Sequence, residues 1–559
     1  MQVNLNRSNT FDAIVVGSGI SGGWAAKELT GKGLRVLLLE RGRPMQHPEY
    51  PTSTFDPWDF TTRGRLSHAD RERCPIQTRH YSINGENAHF YINDLENPYE
   101  EKSRYDWVRA DVVGGRSLLW ARQSYRWSDL DFEANAREGI GVDWPIRYKD
   151  LAPWYDYVET FAGISGRTEG IPHLPDGKFQ PPMEMNCAEK DFAERLKRHY
   201  PDRYVTIGRT ANLTAPVQGR GVCQQRNGCH RGCPYGAYFS SNASTIPAAA
   251  ATGRLTLLDG QLVNRVLTDQ DTGMATGVEV IDRDSGHVTE YFSRILFLNA
   301  STMGTTFLLL NSVSQRHPNG LGNSSGQVGR NIMDHHKGVS VSAAVGGFSD
   351  EYTFGRRPTG IYIPRYRNLG KERSGYLRGF GFQGGASRQS GASSDLLGEA
   401  LKSAYADPGP WRISFNGFGE CLPYEDNRVV LNTDVRDKWG RHTLTMDVTF
   451  RENEVAMQQD MEQSLRDMLE TCGYRDVQSS RNMSFPGNAN HEMGSARMGR
   501  DPKTSVLNAF NQMHEVPNVF ITDGSCMTSS ACVNPSLTYM ALTARACDHA
   551  VNEMKRLDL

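Results

Sequence analysis

The sequence predicts an α/β fold: a dinucleotide-binding domain assembled from several stretches of chain, with an inserted α+β substrate domain built on an antiparallel sheet. Three observations carry this. Phe11 to Glu40 reads as strand, turn, helix, strand; apolar strand-like runs return far downstream; and between about Lys337 and Phe485 apolar residues alternate with polar ones, as in a sheet with one wet face.

In the first unit, DAIVVG is a short apolar run rich in β-branched residues, GSGISGG breaks it, WAAKELTGKG suits a helix, and RVLLLE is a second strand. From His47 to about Arg104 the chain turns polar and aromatic, as a long excursion over a surface would. RLTLLDG, TGVEVID and RILFLN restore the strand pattern, and VPNVFITDG adds a further buried strand near the end. GVSVSAAVGG, GIYIPRY, NRVVLN and HTLTMDVTF supply the antiparallel sheet. The nucleotide domain is thus expected over 1–46, 105–135, 205–336 and 486–559, and the substrate domain with its excursions over 47–104, 136–204 and 337–485.

Charge narrows the functions available. With 62 basic and 64 acidic residues among 559, the net charge of -2 creates no long-range field toward nucleic acid or an anionic membrane. The strongest apolar stretch, RILFLNASTMGTTFLLL, is interrupted by Asn, Ser and Thr, so no direct membrane insertion is expected. MQVNLNRSNTFDAIVV lacks the basic and apolar regions of an export signal. Function must be read from local sites.

The first is Gly17-Ser18-Gly19-Ile20-Ser21-Gly22, a G-x-G-x-x-G pattern between strand and helix. Missing side chains at Gly17, Gly19 and Gly22 let backbone approach a pyrophosphate, and the helix start supplies free N–H groups and partial positive charge. Glu40, ending the second strand, is placed to accept from ribose hydroxyls. A tight turn serving only packing is the competing account. The pattern is Rossmann-like and does not choose between NAD and FAD.

At this point the chain resembles the glucose-methanol-choline (GMC) oxidoreductases, through GSGISGG, VVGGRSLLWARQSYRW, VGRNIMDHH, HEMGSARMG and ITDGSCMTSSACVNPSLTYMALTARA, in that order. The resemblance implies FAD, with Gly114, Gly115 and Ser117 beside the isoalloxazine, Val263 near the adenine, and Asp523 and Gly524 along the ribityl-pyrophosphate region. Where some relatives carry a flavin-linked histidine this chain has Leu119, so the FAD is expected to be non-covalent.

Hydride leaves a carbinol carbon more easily as its hydroxyl loses a proton, and a neutral imidazole suits that proton. His491 is the expected base, with the Asn534 amide orienting the same hydroxyl, and the resemblance points to the same pair. A satisfied buried histidine is the plainer reading of His491. Asn534 followed by Pro535 and Ser536 also reads as a helix N-cap with proline at the first helical position, a role that can coexist with catalysis and would bring a helix N-terminus to the flavin. His335 and His336 read as structural or supporting residues.

GVCQQRNGCHRGCPYGAY crowds Cys223, Cys229 and Cys233 into a glycine-punctuated loop, residues 221–236, where three thiolates can converge on a metal centre. Zinc with His230 as an awkward fourth ligand, or a disulfide plus one thiol, are the alternatives. The spacing resembles the 3Fe-4S loop of multisubunit GMC dehydrogenases, which implies a 3Fe-4S cluster, a cytochrome c-type acceptor subunit, and a small export subunit carrying the chain to the periplasm. A cluster takes electrons singly, a regime of no use to an oxidase. The expected function is an FAD dehydrogenase oxidising a secondary hydroxyl, carbon 3, of glucosides or disaccharides, in the manner of glucoside 3-dehydrogenases. An oxygen-using pyranose oxidase or a glucose or gluconate dehydrogenase flavoprotein subunit is the alternative.

Overall fold

The computed structural model describes residues 9–353, 355–371, 373–391 and 395–556. Its first unit is strand β1 (Thr10–Val16), helix α1 (Ile20–Gly31) and strand β2 (Val36–Leu39), with β1 and β2 parallel. Successive side chains of a strand face opposite sides, and here both sides are apolar. Ala13 and Val15 join a core with Ala25, Leu29 and residues of the C-terminal helix, while Ile14 and Val16 join another with Leu296, Leu298 and Met493. That is why AIVV reads as an unbroken apolar run.

Around this unit lies a seven-stranded mixed sheet. Val288–Leu298 runs parallel to β1, and Leu255–Leu258 runs parallel to β2. The long strand Val288–Leu298 changes neighbours along its length: Val288–Phe292 pairs antiparallel with Ala275–Asp282, and Leu296–Leu298 pairs parallel with Val519–Ile521. The C-terminal helix Ser536–Arg556 then packs on α1. One sheet therefore joins both ends of the chain to its middle.

A second seven-stranded sheet is antiparallel and covers Val339–Val345, Ile361–Ile363, Phe380–Arg388, Trp411–Glu420 and Arg475–Arg481. Thr206–Ile207 and His335–His336 also lie in this sheet. Val339, Val341, Ala343 and Val345 are buried while the residues between them are partly exposed. Their covered face meets Met457, Met461, Leu465 and Met468 of helix Glu452–Thr471, and Phe192 of helix Cys187–His199 lies 5.1 Å from Phe415, ring to ring.

Two of the alternating segments go elsewhere. Arg428–Arg436 and His442–Asp447 pair with each other and, through Glu100–Glu101, form a separate three-stranded sheet. Val429, Leu444 and Met446 pack with Tyr105, Trp107 and Met303, so the aromatic excursion after His47 supplies their apolar cover.

Candidate active site

The glycine cradle is set by backbone contact. Gly17 has φ +92, and a Cβ there would lie 2.4 Å from the Asn299 carbonyl oxygen; a Cβ on Gly22 would lie 1.7 Å from the Gly17 carbonyl oxygen. Only glycine lets strand and helix come this close. Gly19 differs: no atom would meet its Cβ within 4 Å, because it borders a cavity of about 1240 Å³. Typical pockets for one small ligand run to about 1,000 Å³, so this space suits a dinucleotide together with a second molecule.

Glu40 is buried, and burial pushes its carboxyl upward against the opposing hydrogen bonds of Ser18 and Gly42. Its Oε2 accepts from Ser18 N at 3.0 Å and Ser18 Oγ at 2.5 Å, and Oε1 accepts from Gly42 N at 2.7 Å. A carboxylate offers about four acceptor positions, which leaves one for a ligand hydroxyl. Ser18 Oγ also accepts from Gly114 N at 2.8 Å. Gly114, with φ +90, has no room for a side chain beside Asn242, and Ser117 Oγ donates to the Gly114 carbonyl at 2.6 Å. Gly115 and Ser117 border the cavity next to the cradle, and Val263 borders it beyond Glu40 on strand Gln261–Thr268.

Beside the cradle, where Ser21 Oγ donates to the Thr522 carbonyl, Asp523 is buried and its carboxyl is pushed up by burial; it accepts from Thr305 Oγ1 at 2.6 Å and Ser525 N at 3.0 Å. A side chain on Gly524 would strike the Glu492 carbonyl oxygen at 2.2 Å. Among the buried polar atoms of cavity-lining residues that have no protein partner are Asn299 Nδ2 and the Tyr539 hydroxyl. Buried polar groups are almost always satisfied, so both point to a polar ligand.

His491 and Asn534, 43 residues apart in sequence, meet on this cavity: His491 Nε2 lies 3.3 Å from Asn534 Nδ2. Asn534 Oδ1 accepts from Gln383 Nε2 at 2.7 Å, and His491 Nδ1 lies 3.1 Å from His335 Nδ1. Phe418 walls both imidazoles, with ring centroids 4.9 Å from His335 and 5.5 Å from His491. Burial first, then the neighbouring His335, Lys337 and Arg116, hold His491 well below the usual histidine range, so its ring is neutral at pH 7. The backbone beneath it is pinned by Asp334, which accepts from the N–H groups of Gly487, Ala489 and His491 at 2.9, 3.2 and 3.1 Å. Arg116 and Glu492 close the floor in a two-pronged ion pair at 3.0 and 2.6 Å.

The capping reading of Asn534 is corrected. The helix begins at Ser536, and the Pro535 carbonyl accepts its first bond, from Tyr539 N at 3.1 Å. Pro535 therefore occupies the cap, and the Asn534 amide is committed to Gln383 and His491. Sequence reasoning also missed Gln383. Its one signal is a polar residue following two buried phenylalanines in FGFQ; pairing opposite Asn416 puts it on the cavity side of the sheet.

The cysteine loop is a different case. Cys223 and Cys229 border the same cavity, and Cys223 and Cys233 have thiols raised by burial, with neighbouring thiols adding to the effect. Yet among the described residues no three His, Cys, Asp or Glu side chains stand close enough to hold a metal ion, and all ten cysteines are free of disulfides. The expected 3Fe-4S site is thus not formed by these side-chain positions, and neither is the disulfide alternative. His230, the conceivable zinc ligand, is instead engaged with Glu86 at 2.8 Å. A sequence spacing fixes how far apart three thiols can be, and the loop's own path decides whether they meet; ligands of this kind are drawn together when a metal binds.

With this geometry in view, the chain can be placed among known proteins. Models of the GMC oxidoreductase family match residues 11–337 and 423–543, and the chain belongs to that family. Membership makes it an FAD-binding oxidoreductase acting on CH–OH groups, and the cradle, the free acceptor position on Glu40 and the unpartnered Asn299 and Tyr539 fit that cofactor. The chain is 29% identical to the 2-methyl-1,2-propanediol dehydrogenase of Mycolicibacterium austroafricanum, over 96% of this chain and 94% of that one. It is 26% identical to the fructose dehydrogenase large subunit of Gluconobacter japonicus, over 99% of both. A solved formate oxidase from Aspergillus oryzae shares the fold, with TM-score 0.60, 15% identity and coverage of 98% and 99%.

Proposed function

We propose that the protein is a dehydrogenase for a secondary hydroxyl of a glucoside or disaccharide, most specifically carbon 3, yielding the keto sugar. The observation that carries this reading is the neutral His491 beside Asn534, on the same cavity as the dinucleotide cradle. Bound FAD supplies the acceptor for the substrate's hydride. His491 Nε2 takes the hydroxyl proton as the hydride departs, and the Asn534 amide, held by Gln383, steadies the negative charge growing on that oxygen. Arg116 and Glu492 hold the loop under His491 by ion pairing and add no net charge.

The relative that is a large subunit supports partner subunits for this chain too. We take these to be a cytochrome c-type acceptor and a small export subunit giving a periplasmic location. Among the described residues no helix is long and apolar enough to cross a membrane. The cysteine spacing favours a 3Fe-4S cluster, while the side-chain positions do not. Iron and labile sulfide analysis of purified protein separates these. An anaerobic panel of glucosides, free sugars, sugar acids and diols, with products identified by NMR, tests the substrate and the carbon: a 3-keto glucoside is expected. Bleaching of the flavin only by non-carbohydrate alcohols would refute the reading, and peroxide formed in step with substrate would favour an oxidase.

A further inference from the structure

The hydrogen bonds across the site form a chain whose direction is fixed from its carbonyl end. At one end stands the Ala531 carbonyl, which can only accept, and His335 Nε2 is hydrogen-bonded to it. That nitrogen must carry a proton. His335 is fully buried, and burial brings its pKa down to about 4, so the ring is neutral and holds one proton only. Its Nδ1 is left with a lone pair. His491 Nδ1, 3.1 Å away, must therefore be the N–H of that contact. His491 is itself neutral, which leaves Nε2 bare.

From the other end, Gln383 donates to Asn534 Oδ1, so the Asn534 NH₂ group turns toward His491 Nε2 and needs a lone pair there. The amide at this end thus presents the donor that the same tautomer of His491 accepts.

We propose that His335 is a positioning residue that locks His491 as its Nδ1–H tautomer, so that the Nε2 lone pair always faces the substrate hydroxyl; this rests on the reading of His491 as the base. In the opposite tautomer Nε2 could only donate, and two lone pairs would meet between the histidines. In the reaction the substrate O–H bond breaks and an N–H bond forms at Nε2, while the C–H electron pair leaves with the hydride to the flavin. His491 becomes an imidazolium still donating from Nδ1 to His335. Because the chain ends on a carbonyl, that proton has no onward path through His335 and leaves by the cavity. The charged and titratable groups around the pair are Lys337 and Arg116, Asp334 beneath the loop, Glu492 and His80. His336, next in sequence, points away to Met457 Sδ at 3.1 Å and takes no part.

The test uses holoenzyme labelled with ¹⁵N-histidine, the His491 signals being assigned by their loss in His491→Gln. Two-bond couplings should show a protonated Nδ1 and a bare Nε2 at pH 7. A protonated Nε2 overturns the proposal whatever the activity. In parallel, His335→Phe, which keeps a ring but no acceptor, should slow anaerobic flavin reduction at least tenfold with unchanged FAD content and KM. His335→Gln can accept from His491 and donate to Ala531, and should recover most of the rate. Reduction at the parent rate in His335→Phe, or equal losses in both variants with FAD retained, also overturns it. Should both variants misfold, the spectrum of the parent protein still decides. Undiminished reduction in His491→Gln would instead defeat the base assignment and leave the tautomer result standing.

Discussion

Alanine at Gly22 and alanine at Gly19 separate packing from ligand binding in the cradle. At Gly22 a Cβ would lie 1.7 Å from the Gly17 carbonyl oxygen and 2.8 Å from its carbon, whereas ordinary contact begins near 3.4 Å. Neither atom belongs to a flexible side chain, so α1 must move away from β1 by well over an ångström. Overpacking of this kind costs about 1–3 kcal/mol, and here the partner is backbone, which puts Gly22→Ala at the upper end. Gly19 has φ -65 and ψ -162, a conformation open to any residue, and no atom within 4 Å of the added carbon. Gly19→Ala should leave the apoprotein as stable as the parent, or slightly more so by restricting the unfolded chain. Its methyl, however, projects into the cavity where the pyrophosphate must approach the backbone. The expected outcome is an apoprotein that unfolds normally in urea and loses at least about tenfold in FAD affinity, roughly 1.4 kcal/mol. Denaturant unfolding of apoprotein and flavin fluorescence titration measure the two quantities separately. Parent affinity in Gly19→Ala, or parent stability in Gly22→Ala, would refute the placement of the ligand or of the helix.

Further outcomes follow from the site. Because burial depresses His491, the neutral base persists as pH falls, and the rate constant for flavin reduction should stay flat from pH 8 to below 6; a loss centred near 6.5 would show an ordinary, solvated histidine. Replacing Gln383 by Leu leaves Asn534 Oδ1 without its donor in a buried site, a penalty of about 1–3 kcal/mol, and stopped-flow reduction should slow by about tenfold or more with FAD content unchanged. His336, fully buried, has its pKa lowered to about 3 by burial and then by His335, so the unfolded state binds more protons once pH drops below 6.5. Its neutral burial costs nothing above that pH and about 3 kcal/mol at pH 4; urea unfolding of parent and His336→Gln should show the variant gaining by that amount between pH 7 and 4.

Much of the architecture is legible in local pattern. The unit from β1 to β2 shows because glycine spacing and a run apolar on both faces leave few alternatives, and Val288–Leu298 shows through RILFLN. NRVVLN and HTLTMD were legible as strands but not as members of a separate sheet, because their partner Glu100–Glu101 lies more than 300 residues away and its apolar cover comes from Tyr105 and Trp107. At the site, His491 and Asn534 carry chemistry that residue type alone suggests. Gln383 and His335 do not: each acts through a neighbour more than 150 residues off in sequence, and only strand register and loop closure reveal the contact. The cysteines teach the converse, since close spacing in sequence has not brought three sulfurs into a ligating group.

The joining of both chain ends in one sheet has a consequence for biogenesis. Leu296–Leu298 waits for Val519–Ile521, and α1 waits for the helix Ser536–Arg556, which lies some 500 residues behind it on the ribosome. At roughly 5–20 residues per second the gap lasts about half a minute or longer. Throughout it Ala25, Leu29 and their neighbours lack the cover that Ala546, Cys547 and Ala550 supply, so this apolar face stays open in the nascent chain. Truncation before Ser536 would therefore leave this face of α1 bare, and insoluble polypeptide is the expected product.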